Sequence, residues 1–96
     1  MSSGAPRPLA TALESLTASL APITTLARVQ EVWERATGPA IASVAQPASE
    51  RDGVLTVSCE ASVWAQELDL MAPELLRALN AALGAELLHS LRCRTG

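Results

Sequence analysis

One stretch limits what this chain can become. Asp52-Gly53 is followed by Val54-Leu55-Thr56-Val57-Ser58-Cys59-Glu60 and then by Ser62-Val63-Trp64. Asp-Gly between extended segments is a hairpin signal, because both residues tolerate positive φ. After it, Leu55, Val57 and Cys59 alternate with Thr56, Ser58 and Glu60, the period-2 pattern of a strand with one dry face. Ser62 is placed to cap a helix. On that helix Trp64, Leu68 and Met71 share a side, while Gln66, Glu67 and Asp69 face out. The strand before the turn, over about residues 45–50, is weak in sequence. It is expected mainly because the turn needs a partner.

The rest of the chain supplies helices and one more strand. Residues 1–8, mostly Ser, Gly, Ala and Pro, read as a frayed leader to a single domain over 9–94. Leu9, Leu13, Leu16 and Leu20 mark one helical face, ended by Pro22. A second helix, capped by Thr24 or Thr25, carries Leu26, Val29 and Trp33 on one face. Gly38-Pro39 breaks it, Gly38 as a left-handed terminus, and 39–45 continue in a new direction with Ile41 and Val44 inward. Pro73 opens a helix bearing Leu75, Leu76, Leu79, Ala82 and Leu83, and Gly84 stops it. Leu87, His89, Leu91 and Cys93 alternate with Leu88, Ser90, Arg92 and Arg94 as a last strand, which places His89 partly inside. After the leading helix the order is helix, strand, strand, helix, helix, strand. That predicts an α+β fold, KH-like type II (α-β-β-α-α-β), with an extra N-terminal helix and a three-stranded sheet covered by helices on one face.

Composition bounds the function. Ninety-six residues form one domain, burying about 60–65% of the unfolded surface. The chain has no Phe or Tyr, so its core is built from small residues and two Trp, and self-association is an available source of further burial. Net charge is −3, with seven Arg and no Lys. This is not the overall balance of a nucleic-acid binder, which leaves a local Arg cluster as the only route to phosphate. The first residues do not read as a signal peptide and no apolar run approaches about 20 residues, so the expectation is a cytoplasmic protein with no membrane partner. Cys59 and Cys93 read as reduced core thiols, and two Cys with one distant His lack zinc spacing. No paired catalytic groups are present in the sequence, so neither enzyme chemistry, metal nor cofactor is expected.

Three cations are the candidate binding residues. Arg92 and Arg94 lie two apart on one strand face, with Arg77 on the neighbouring helix. Guanidinium geometry suits a phosphate or an acidic protein surface; the plain alternative is a solvated sheet face. Three phosphate contacts alone would be weak and salt-sensitive. Trp33, Gly38, Gly53, Trp64 and Leu68 are expected as structural anchors. For each Trp a core role is weighed against a partner hot spot, and the apolar stripes they continue favour the core.

Val32 to Ala42, Gly53 to Val57, Ser62 to Leu68, Leu75 to Gly84 and Leu91 to Arg94 together resemble the DciA family, over about residues 26–94. The most specific piece is Trp64-Ala65-Gln66-Glu67-Leu68, in order with the Trp33 to Pro39 segment. The resemblance implies a KH-like domain that works with the bacterial replicative helicase DnaB, assists its loading on single-stranded DNA and has some affinity for DNA. It also implies a fold like the N-terminal interaction domain of the initiator DnaA. A second function, a KH-like domain binding RNA or DNA directly, stands beside it. Two departures bear on that choice. KH domains clamp nucleic acid with a Gly-x-x-Gly loop, whereas the matching stretch here is Leu70-Met71-Ala72-Pro73-Glu74. Family members often carry a further flexible or basic tail, and only Thr95-Gly96 follow the last strand in this sequence.

Overall fold

The computed structural model describes residues 23–96; the leader and the helix expected over 9–20 lie outside the described residues. Thr24 is extended, and its hydroxyl accepts from the Ala27 amide at 3.0 Å. That cap satisfies one orphan donor and starts helix α1 (Thr25–Thr37). Gly38 ends α1 with φ 94 and ψ 157, an extended glycine-only conformation. The break is therefore sharper than the expected left-handed terminus, and Pro39 opens the short α2 (Pro39–Ala42) in a new direction.

Strands β1 (Ala45–Arg51) and β2 (Val54–Cys59) are joined by Asp52-Gly53. Both turn residues have positive φ, 52 and 84, as a type I′ hairpin requires. Helix α3 (Ser62–Leu70) follows. The expected Ser62 cap does not form. Extended Ala61 occupies the cap position, and its carbonyl takes the first helical amides, Trp64 and Ala65. Met71 alone separates α3 from α4 (Ala72–Leu83), and β3 (Ser90–Thr95) ends the fold. From α1 onward, with the α2 turn counted as its continuation, the order is α-β-β-α-α-β, as in a type II KH domain.

The sheet is mixed, in the order β1-β2-β3. β1 runs antiparallel to β2, and β3 runs parallel to it. A parallel return needs a long crossover, and α3 and α4 provide it. Leu55 and Val57 of β2 are fully buried against Val29, Leu68 and Leu79 from the three longer helices. Each such side chain contributes roughly 1.5–3 kcal/mol by leaving water. Trp33 is 3% exposed, and its indole N–H donates to the Ala45 carbonyl at 2.9 Å, fixing α1 to the start of β1. Trp64 is half-buried, packed against the core from α3.

The last strand starts later than the alternation of Leu87 to Arg94 predicts. Asn80, 5% exposed on α4, is the cause. Its Oδ1 accepts from the Leu87 and Leu88 amides at 3.0 and 2.9 Å, and its Nδ2 donates to the Leu88 carbonyl at 2.7 Å. The three bonds hold this segment out of the sheet and turn Leu88 into the core, 2% exposed. His89 is accordingly exposed, not partly buried, and its Nε2 lies 2.7 Å from the Asp52 carbonyl.

Two substitutions test these joints. Asn80→Ala leaves buried backbone groups without partners, each costing about 1–3 kcal/mol; urea unfolding should show a loss at the upper end of that range or beyond. Gly53→Ala adds a Cβ that collides with the His89 ring. It should destabilise by more than the ~1 kcal/mol that the same change gains where the backbone suits alanine, and His89→Ala in the same chain should recover part of the loss.

Candidate functional site

Among the described residues the helices take one face of the sheet, and the register defines the other. Three rows cross it: Arg51–Val54–Ser90, Ser49–Thr56–Arg92 and Gln46–Ser58–Arg94. These positions hold three arginines, four hydroxyls, one amide and one Val, and no acid. Arg51, Arg92 and Arg94 are all exposed. Arg92 and Arg94, two residues apart on β3, are about 6.6 Å apart along the strand.

Arg51 escapes the sequence reading because of a bulge. Strict alternation from the buried Ala45 and Pro47 would carry 49 and 51 to the inner face. Instead the register shifts between Pro47 and Ser49, leaving Ala48 as the extra residue. One extra residue inverts the phase, so Ser49 and Arg51 turn outward. The available signal was Pro47, since proline inside a strand marks an edge or a bulge. Near the turn, Ser49, Glu50, Arg51, Asp52, Val54, Thr56 and Arg92 line a hollow of about 480 Å³. The Glu50 carboxylate accepts from the Gly53 amide at 2.7 Å and is held toward the turn.

The structure does not bring Arg77 to this group. It is exposed on α4, in the helical layer, beside a cleft lined by Pro73, Leu76, Asn80, Glu86 and His89. The site where a KH domain clamps nucleic acid is also altered. α3 and α4 meet at the single residue Met71, with no loop between them, and Glu74 occupies the first turn of α4. A carboxylate there already satisfies the positive helix end that would favour a phosphate. Leu68 of α3 is fully buried, whereas Val63 and Leu70, seven apart on the same helix face, are 58% and 80% exposed.

Other chemistry is limited among the described residues. No group of three or more His, Cys, Asp or Glu could hold a metal ion. No helix is long and apolar enough to cross a membrane. Cys59 and Cys93 are free thiols within hydrogen-bonding reach of each other on the inner face of adjacent strands. Burial pushes the Cys93 thiol up to about 11, with smaller contributions from Cys59 and Asp69. Burial also raises Cys59, partly offset by its hydrogen bond with Cys93. Neither thiol is an activated nucleophile, since reactivity needs a depressed value.

Comparison with known proteins matches a family sequence model described as Dna[CI] antecedent, DciA, to residues 8–93. A UPF0232 protein of Rhodococcus jostii is 40% identical over 60 residues, which cover 62% of this chain and 32% of that protein. A UPF0232 protein of Mycolicibacterium paratuberculosis is 42% identical over 60 residues, covering 62% and 33%. One from Mycobacterium tuberculosis is 38% identical over 60 residues, covering 62% and 32%. The match thus spans about a third of the length of these relatives.

The thiol environment predicts a pH response. Both folded thiols hold their protons more tightly than an unfolded cysteine does. Their contribution to stability is therefore complete below the unfolded value near 9.0 and is lost as pH rises toward about 11. Iodoacetamide at pH 8 should alkylate the native protein much more slowly than the urea-unfolded chain. Cys59→Ser, Cys93→Ser should flatten the fall in stability between those two pH values.

Proposed function

The chain belongs to the DciA family, and from that membership we propose that it is a non-enzymatic replication accessory module that docks on the replicative helicase DnaB and assists its placement on single-stranded DNA. The family match over residues 8–93 carries this reading. The physical features agree with it. A surface that binds a protein needs exposed apolar anchors, and α3 offers Val63 and Leu70 with Glu67 between them on the same side. Docking by complementary surfaces biases the helicase toward a conformation that accepts a strand, and requires no reactive group on this chain. A standard KH mode of nucleic-acid binding is disfavoured by the single-residue junction at Met71 and by Glu74.

The direct test is capture of purified replicative helicase on the immobilised chain. Binding at low micromolar concentration is expected, and Val63→Glu, Leu70→Glu should weaken it by about tenfold or more, the loss of one to two anchor contacts. Both residues are exposed, so the double variant should retain its melting transition. No capture at tens of micromolar would remove the helicase reading for this chain.

A further inference from the structure

We propose that the open face of the sheet, and not the helical groove used by KH domains, carries the sugar-phosphate backbone of single-stranded DNA, with Arg92 and Arg94 on successive phosphates and Arg51 as a third contact. The choice of DNA over RNA rests on the replication reading above; the choice of surface does not.

Charge is the first argument. The chain is net negative, yet the nine outward positions of the sheet hold three of its seven arginines and no acid. Separation of charge of this kind makes a local positive field on an acidic protein. Among the described residues, the acids nearest the face are Glu50 and Asp52, which help line the hollow, Asp69, which shares a cleft with Arg92 at the β3 edge, and Glu60, which lines a pocket with Gln46 and Ser58. The Gly53 amide holds the Glu50 carboxylate toward the turn, and that carboxylate opposes the arginines together with Asp52, Asp69 and Glu60.

Donor chemistry is the second. Guanidinium and hydroxyl groups are the usual partners of phosphate and sugar oxygens. Ser49, Thr56 and Ser90 place hydroxyls between and beside the arginines, while the Ser58 hydroxyl donates to the Gly96 carbonyl. The roughly 6.6 Å step from Arg92 to Arg94 is comparable to the spacing of phosphates along an extended single strand, and the hollow between Arg51 and Arg92 accommodates one sugar-phosphate unit.

What the face lacks excludes the alternatives. It has no aromatic or large aliphatic residue, only Val54, so it has neither the apolar centre of a protein interface nor a platform for stacking bases. Binding through it is therefore indifferent to sequence and sensitive to salt. With three phosphates neutralised, the logarithm of the association constant should fall with the logarithm of salt at a slope of about −2.

The test is fluorescence anisotropy with a labelled thymidine homopolymer, in the absence of helicase, from low to physiological salt. The wild type should bind at low salt with that slope. Arg92→Glu, Arg94→Glu should lose at least about tenfold in affinity and most of the salt dependence. Arg77→Glu, with one comparable charge reversal on the helical side, should bind like the wild type. All three positions are exposed, and circular dichroism checks that the variants fold. Equal losses from Arg77→Glu and from a single Arg92→Glu, or unchanged binding by the double variant, would overturn the proposal. So would tighter binding of a uridine homopolymer, or displacement of the DNA by polyglutamate at equal charge concentration, which would mark the face as a dock for an acidic protein. Helicase capture is scored in parallel. A double variant that still captures helicase but not DNA supports two separate surfaces, and a wild type that captures helicase without binding DNA overturns this proposal alone.

Discussion

The fold depends on the contact at Gly53. This residue turns the β1–β2 hairpin, and its carbonyl also accepts from the His89 and Ser90 amides at 2.9 and 3.3 Å, which brings in β3. A side chain there would occupy the space of the His89 ring. Two unrelated demands, positive φ and close approach, therefore fall on one position, and only glycine meets both. Because β3 is parallel to β2, its alignment is not set by a tight turn. It is set by where the crossover delivers the chain, and Asn80 and Gly53 control the last steps of that delivery. Asn80 holds residues 87 and 88 off the sheet, and Gly53 receives residues 89 and 90.

The same logic explains the outward face of the sheet. Arg92 and Arg94 point outward because Leu91 is drawn into the core beside Leu55. Arg51 points outward for a different reason, the phase inversion at Ala48. An edge strand with a proline and a bulge resists pairing with another edge, so one device protects β1 from association and also re-aims a cation. The cost is the loss of ladder bonds around Pro47. The Trp33 indole bonded to Ala45 and the Gln46 amide bonded to Ala42 at 2.6 Å hold that end of the strand by other means.

What could be read in the sequence follows from the range of each interaction. The hairpin, β2, and the helices of Val29 and Trp33, of Leu68, and of Leu75, Leu79 and Leu83 are local patterns, and the element order followed from them. The KH-like order and the family were legible for that reason. Arg51 was missed because a bulge shows in sequence only as a proline in a weak strand. Asn80 was missed because its partners lie in a segment that itself alternates like a strand; its place on the buried stripe between Leu76 and Leu83 was the one hint. The grouping of Arg77 with Arg92 and Arg94 fails because adjacency of a helix to a strand says nothing about which side of the sheet each side chain leaves. The inward phase of His89 fails because the alternation of Leu91 does not carry back through residues that are not in the sheet.

Net charge is a poor guide to what such a protein can hold. Glu31, Glu34, Glu67 and Glu74 belong to the helical layer, so the carboxylates that bear most on the arginines are those at the edges of the outward face. A phosphate at the outward face meets Arg51, Arg92 and Arg94 opposed by the edge carboxylates Glu50, Asp52, Glu60 and Asp69, a local balance different from the −3 of the whole chain. With apolar anchors on α3 and cations on the outward positions of the sheet, the two proposed ligands do not compete for one surface.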